Sequence, residues 1–187
     1  MEPGTYNVTA KLDDLDASWT LDTLTATVEV DGEFDVTGTV SMQGRTVRSG
    51  VPMVLTSIGA PIYGPYGTTS TNVISNNVLF LGVNGGYYGV TTNQARYLNV
   101  TADLGKQIFV NGDYDLSTLE LKGGNADWTD NVIDISDAGV VGGQYGTGTI
   151  ANDGDVNFDN RVNIQDLALV GGNFDLTSAD AYSSWLP

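Results

Sequence analysis

Residues 155–166 read DVNFDNRVNIQD. Side-chain oxygens recur at Asp155, Asn157, Asp159, Asn163 and Asp166, the first, third, fifth, ninth and twelfth places of the run. Alternate residues of a tight turn can aim such oxygens at one centre, and the Arg161 carbonyl fills the seventh place. Oxygen ligands at this spacing suit a hard cation. Calcium fits better than magnesium, which demands rigid octahedral geometry and keeps its waters. The twelfth residue opens a helix, so Asp166 can chelate the ion and also cap free N–H groups. Asn160 stands where such loops usually carry glycine, and asparagine tolerates the left-handed backbone required there. Val162 or Ile164 would pack under the loop.

The run is duplicated. Residues 137–145, DAGVVGGQY, align with residues 166–174, DLALVGGNF, at an offset of 29. The same offset pairs Asp130 with Asp159, Asn131 with Asn160, Ile133 with Val162 and Asp134 with Asn163. In this first copy Asp130, Asp134 and Asp137 keep the fifth, ninth and twelfth places, and Val132 would supply the carbonyl. Ala126 and Trp128 fall on the first and third places, where neither can ligate. Asn125 or Asp127 would substitute after a small backbone shift, so the first loop is expected to bind calcium more weakly. The plain alternative is an Asn/Asp-rich turn that binds nothing; duplication of the whole pattern argues against it.

Composition narrows the chemistry further. The chain has 187 residues with no Cys and no His, which excludes disulfides, thiolate zinc sites and a Ser-His-Asp arrangement. Asp+Glu 23 against Lys+Arg 7 gives a net charge of −16, which would repel nucleic acid and anionic membranes. No apolar run is long enough to span a bilayer. No paired Glu or activated nucleophile supports a reaction class, so the chain reads as non-catalytic.

The elements that position the loops are mainly β. Alternating segments at residues 6–10, 24–30, 34–40, 51–56, 78–83, 97–101, 107–110 and 116–121 are bounded by Gly, Asn or Asp and predict a β-sandwich. Asp31-Gly32 is a hairpin signal between two of them. After Lys122-Gly123-Gly124-Asn125 the pattern changes to loop and short helix, twice. The expected division is therefore a sandwich over 1–121 and a small α module over 122–187. Tyr63, Tyr66, Tyr87 and Tyr88 lie in turns, where they would either pack at sheet margins or stack on sugars. Trp128 and Trp185, at opposite ends of the module, would clasp it shut.

Residues 162–167, VNIQDL, and the closing Asp make the second loop resemble the bacterial dockerin repeat. The resemblance covers roughly residues 124–185. It implies two antiparallel loop–helix units with one calcium each, and a cohesin-like protein partner. Where the common cellulosomal type often has Ser-Thr before the closing Asp, this chain has Ile135-Ser136 and Ile164-Gln165. Gly142-Gly143 and Gly171-Gly172 replace basic residues, so the scaffold carries over more firmly than the partner.

Residues 37–44 (TGTVSMQG) and 49–55 (SGVPMVL) resemble the start of transthyretin-like (carboxypeptidase-regulatory-like) sandwich domains of bacterial or archaeal surface proteins. Such domains end in a PGTYxVT strand, which here stands at residues 3–9. A displaced strand leaves an open sheet edge. Either that strand folds back into its own sheet, or residues 24–30 fill the gap, or the strand completes the sheet of the next molecule through Tyr6 and Val8. Repeated head to tail, the last arrangement builds a filament. The sequence thus leads to an extracellular, calcium-stabilised structural or adhesive protein. The alternative is an adaptor that docks a cohesin-like partner while its sandwich binds carbohydrate.

Overall fold

A computed structural model of the chain describes residues 4–10, 24–30, 32–45, 50–59, 66–68, 76–147 and 152–187. Among these, nine strands precede three α-helices: β1 Gly4–Ala10, β2 Leu24–Val30, β3 Glu33–Met42, β4 Met53–Ser57, β5 Tyr66–Thr68, β6 Asn77–Asn84, β7 Gly86–Thr92, β8 Gln107–Val110 and β9 Tyr114–Leu121, then α1 Ile135–Gly143, α2 Ile164–Gly172 and α3 Ser178–Ala181; a short 3-10 turn, Ala102–Leu104, lies between β7 and β8.

Two sheets form a sandwich, one ordered β6-β3-β9 and the other β5-β4-β7-β8. Period-two patterning explains why they meet. Val36, Val40 and Met42 of β3, Val78 and Phe80 of β6, and Leu116, Leu119 and Leu121 of β9 are buried in one core. Met53 and Leu55 of β4, Tyr88 and Val90 of β7, and Ile108 and Val110 of β8 belong to that same core. Strand β9 runs parallel to β3, and its register shifts between Thr37 and Thr39. Ser117 takes φ 60 at this bulge, while its N–H donates to Asp115 Oδ1 (2.9 Å). The extra residue lets Leu116 and Leu119 both face inward. Gly38 lies opposite: a Cβ there would meet Leu116 Cβ at 3.0 Å.

Strands β1 and β2 form a separate antiparallel ribbon, with Tyr6 opposite Val28 and Val8 opposite Ala26. The displaced strand pairs with β2 and joins neither sandwich sheet, so it does not fold back into the sheet, and residues 24–30 do not fill a gap there. Three local expectations are corrected. Strand β2 pairs with β1 while β3 pairs with β6 and β9, so no hairpin joins β2 to β3; Asp31 itself lies outside the described residues. Residues 97–101 make only isolated bridges, Tyr97 to Gly123 and Val100 to Thr92, because they run between sheet and module and share their hydrogen bonds between both. The glycines of β7 mimic turn signals: Tyr87-Tyr88 lies within the first half of this strand, not in a turn.

Candidate functional site: two loop–helix units docked on the sandwich

The second loop is built by backbone N–H groups collected on its own side chains. Asp155 accepts from the N–H of Asp159 and of Asn160, both at 3.0 Å. Asn157 Oδ1 accepts from Asp159 N (2.8 Å), and Asp159 Oδ1 from Arg161 N (2.9 Å). Asp166 accepts from Asn157 N (3.2 Å) and Asn163 N (2.9 Å), tying the third place to the twelfth. Asn163 caps α2 in a reciprocal capping box with Asp166. Phe158 and Asn160 hold φ 59 and 69, so asparagine does carry the left-handed turn where glycine is usual. Of the two residues expected under the loop, Val162 is buried and Ile164 is exposed.

The first loop follows the same plan. Asp134 caps α1 in a reciprocal box with Asp137. Asp137 accepts from Ala126 N (2.6 Å), Asp127 N (3.0 Å) and Asp134 N (2.8 Å). Asp130 Oδ1 accepts from Val132 N (2.9 Å). Asp137 and Asp166 are both fully buried; burial pushes both carboxyls above the usual carboxylate value, and the backbone N–H bonds offset only part of that rise.

A cation would be held by oxygen of several kinds. Among the described residues no three acidic side chains gather into a cage by themselves. The donor set still fits a hard cation, because Asp155, Asn157 and Asp166 are all buried polar groups of one turn and amide and carbonyl oxygens complete the set. The side chains brought together in the second loop are Asp155, Asn157, Asp159 and Asp166. Asn163 serves as helix cap, and Arg161 contributes its N–H to Asp159.

Each unit completes the other. Ile133 N donates to Leu176 O (3.0 Å) and its carbonyl accepts from Asp175 N (2.8 Å). Val162, its counterpart, donates to Thr147 O (3.0 Å) and accepts from Gly146 N (2.8 Å). Each loop is thus pinned to the residues following the other unit's helix. The pair shares its interior with the sandwich, since Ala126, Ile133, Val141, Val156, Val162 and Val170 join the same core.

Several contacts fix the pair to the sandwich. Tyr182 donates to Leu98 O (2.7 Å) and accepts from Lys122 N (3.3 Å). Lys106 Nζ donates to the carbonyls of Tyr182 and Trp185. Asn173 Nδ2 reaches Gln43 Oε1 and Gly123 O, both at 2.6 Å. The Phe158 ring lies between two guanidiniums, Arg45 at 4.1 Å and Arg96 at 4.3 Å. Burial pulls Arg96 below its usual value, while Asp155 and Asp153 oppose this. Trp185 does not meet Trp128. Its Nε1 donates to Leu116 O (3.2 Å), while Trp128 is 55% exposed; the expected clasp is instead a bolt into the sandwich.

The pair leaves a matched apolar surface. Ile135 and Ile164 are 72% and 65% exposed, and Tyr145 and Phe174 are exposed as well. Both couples are related by the repeat offset. On the sandwich, Tyr88 is buried and donates to Asn84 O (2.8 Å), whereas exposed Tyr87 stacks against Phe109 with ring centroids 4.5 Å apart. Tyr63 lies outside the described residues. No helix among the described residues is long and apolar enough to cross a membrane.

No family model matches the chain, and no curated protein does. Solved structures do. One chain of a type II Cohesin-X-Dockerin complex from Acetivibrio cellulolyticus, an N-terminal interface mutant, superposes with TM-score 0.61 at 19% identity. The C-terminal interface mutant of that complex gives TM-score 0.60 at 20% identity. In both cases the match covers 79% of this chain and 99% of the other. At such identity the likeness is one of fold: a mainly β sandwich with short helices.

Proposed function

We propose that this protein is a non-catalytic, extracellular docking protein whose calcium-stabilised, dockerin-like loop–helix pair presents a twin apolar surface to a protein partner. The carrying observation is that surface. Ile135 and Ile164 each sit two residues before a buried aspartate, so the helix start that would face an ion on one side shows a large apolar side chain to water on the other. Exposed apolar residues repeated by an internal symmetry are better suited to a partner than to a core. Calcium would be held by Asp155, Asn157, Asp159, the Arg161 carbonyl and Asp166 in one loop, with Asn163 capping the helix beside it. In the other, Asp127, Asp130, the Val132 carbonyl and Asp137 would hold it, with Asp134 as cap. The sandwich is the rigid base that keeps both loops in place. A cohesin-like domain is the partner this reading favours, because the two similar structures are complexes of that kind.

A second reading, head-to-tail assembly, is favoured by one observation. The β1–β2 ribbon belongs to neither sandwich sheet, and β9 is the last strand of its sheet among the described residues. A ribbon strand donated by one molecule would extend that edge in the next. Titration of purified protein with type II cohesin domains in millimolar calcium, beside negative-stain microscopy, separates the two. Saturable binding lost in an Ile135→Asp/Ile164→Asp double variant supports docking. Uniform fibres that vanish on deletion of residues 1–10, with no cohesin binding, would replace docking by assembly.

A further inference from the structure

We infer that the first loop is a thirteen-residue cation site beginning at Asn125, whose side-chain amide oxygen takes the place that Asp155 holds in the second loop. This rests on the calcium reading proposed above and specifies the ligands of one of its two sites.

The register of the two loops changes partway along. From the fifth place onward they align at an offset of 29: Asp130 Oδ1 accepts from Val132 N as Asp159 Oδ1 does from Arg161 N, and Asp137 corresponds to Asp166. Before that point the geometry aligns at 30. Trp128 has φ 62 where Phe158 has φ 59. Asp127 N donates to the closing Asp137 (3.0 Å) as Asn157 N does to Asp166 (3.2 Å). Asp127 Oδ1 accepts from Thr129 N (3.1 Å) as Asn157 Oδ1 does from Asp159 N (2.8 Å). The first loop therefore holds one extra residue, next to Thr129, and its first place falls on Asn125 rather than Ala126.

Asn125 is placed as a ligand would be. It is 5% exposed, and its Nδ2 donates across the loop to Asp130 O (3.0 Å). Its Oδ1 is buried with no donor. A buried amide oxygen without a partner is unfavourable unless something positive meets it. In the second loop the corresponding Asp155 oxygens are both engaged by backbone N–H groups. The chemistry of the exchange is balanced. The first loop has an amide at its first place and a carboxylate, Asp127, at its third; the second has Asp155 first and Asn157 third. Each then offers carboxylates at the fifth and closing places, Asp130 and Asp137 against Asp159 and Asp166. Equal carboxylate counts give each loop the charge to hold a divalent cation.

The test is calorimetric titration of the chelator-treated full chain with calcium chloride alone. The expected result is two equivalents per chain, one lost in Asn125→Ala and a different one lost in Asp155→Ala. Asn125→Asp keeps both and tightens one by about tenfold, because a charged oxygen replaces a neutral one. Trp128 reports the site independently: terbium luminescence excited through indole should fall in Asn125→Ala and persist in Asp155→Ala. A single equivalent that disappears in Asp155→Ala, or affinities unchanged in Asn125→Asp, overturns the inference and leaves calcium in the second loop standing. No binding by the unmodified chain sinks the calcium reading itself.

Discussion

Trp128 and Phe158 occupy the same place in the two loops, with nearly the same left-handed backbone, yet they meet opposite fates. Phe158 is gripped between Arg45 and Arg96 of the sandwich. Trp128 stands in solvent. One duplicated unit has thus been used twice, once as an anchor and once as an open face. The difference lies in what surrounds each copy. Residues of the β3–β4 connection and of the segment after β7 bring two arginines against the second loop. Among the described residues the first loop has no such arginine pair against Trp128; one polar link there is Asn131 Oδ1 accepting from Asn99 N at 3.3 Å. Duplication supplies two equivalent scaffolds; the attached domain decides which becomes interior.

Substitutions can break or sharpen that contrast. The largest effect is expected from Asp166→Ala, which strips the closing carboxylate from two backbone N–H groups and, on the calcium reading proposed above, from the ion. Urea unfolding should show a loss of about 3 kcal/mol or more in calcium. Next comes Phe158→Ala, expected to cost about 2 kcal/mol through lost burial and two cation–π contacts. Trp128→Ala, its geometric twin, should cost no more than about 0.5 kcal/mol. Equal losses at the two positions would erase the distinction between anchor and open face. Tyr182→Phe removes a hydroxyl that serves both Leu98 O and Lys122 N, and should cost about 1–2 kcal/mol.

The smallest effect concerns alkaline pH. Desolvation pushes the Tyr97 hydroxyl up from 10.0 to about 12, and Tyr182 rises for the same reason. The folded form therefore holds these protons after the unfolded chain has released its own. That stability is fully present below pH 10 and is lost as pH rises from 10 toward 12. Unfolding midpoints measured across this window should fall in the unmodified protein. The fall should be shallower in Tyr97→Phe.

Much of the loop–helix pair was legible because its chemistry is written in side chains at fixed spacing. The closing Asp166 and Asp137 and left-handed Asn160 could be read from the run itself, whereas Asn163 and Asp134, expected as ninth-place oxygens, cap the helices. The register of the first loop stayed open between Asn125 and Asp127, since the added residue inferred beside Thr129 leaves the helix repeat intact while moving the first place to Asn125. In the sandwich, alternation revealed β3, β6, β8 and β9. It missed β7, where glycines mimic turns, and misread Asp31-Gly32, because pairing of β2 with β1 rather than β3 is decided by contacts distant in sequence. The docking of Tyr182, Trp185 and Phe158 carries no local pattern at all. A buried aromatic looks the same in sequence whether it packs on its own module or on its neighbour.

The most direct test of the account is thermal unfolding of the full chain followed by far-ultraviolet circular dichroism, in millimolar calcium and in excess chelator. The account predicts that chelator lowers the midpoint and abolishes the helical contribution of α1 and α2, and that added calcium restores both. Superposable curves in the two conditions would contradict it.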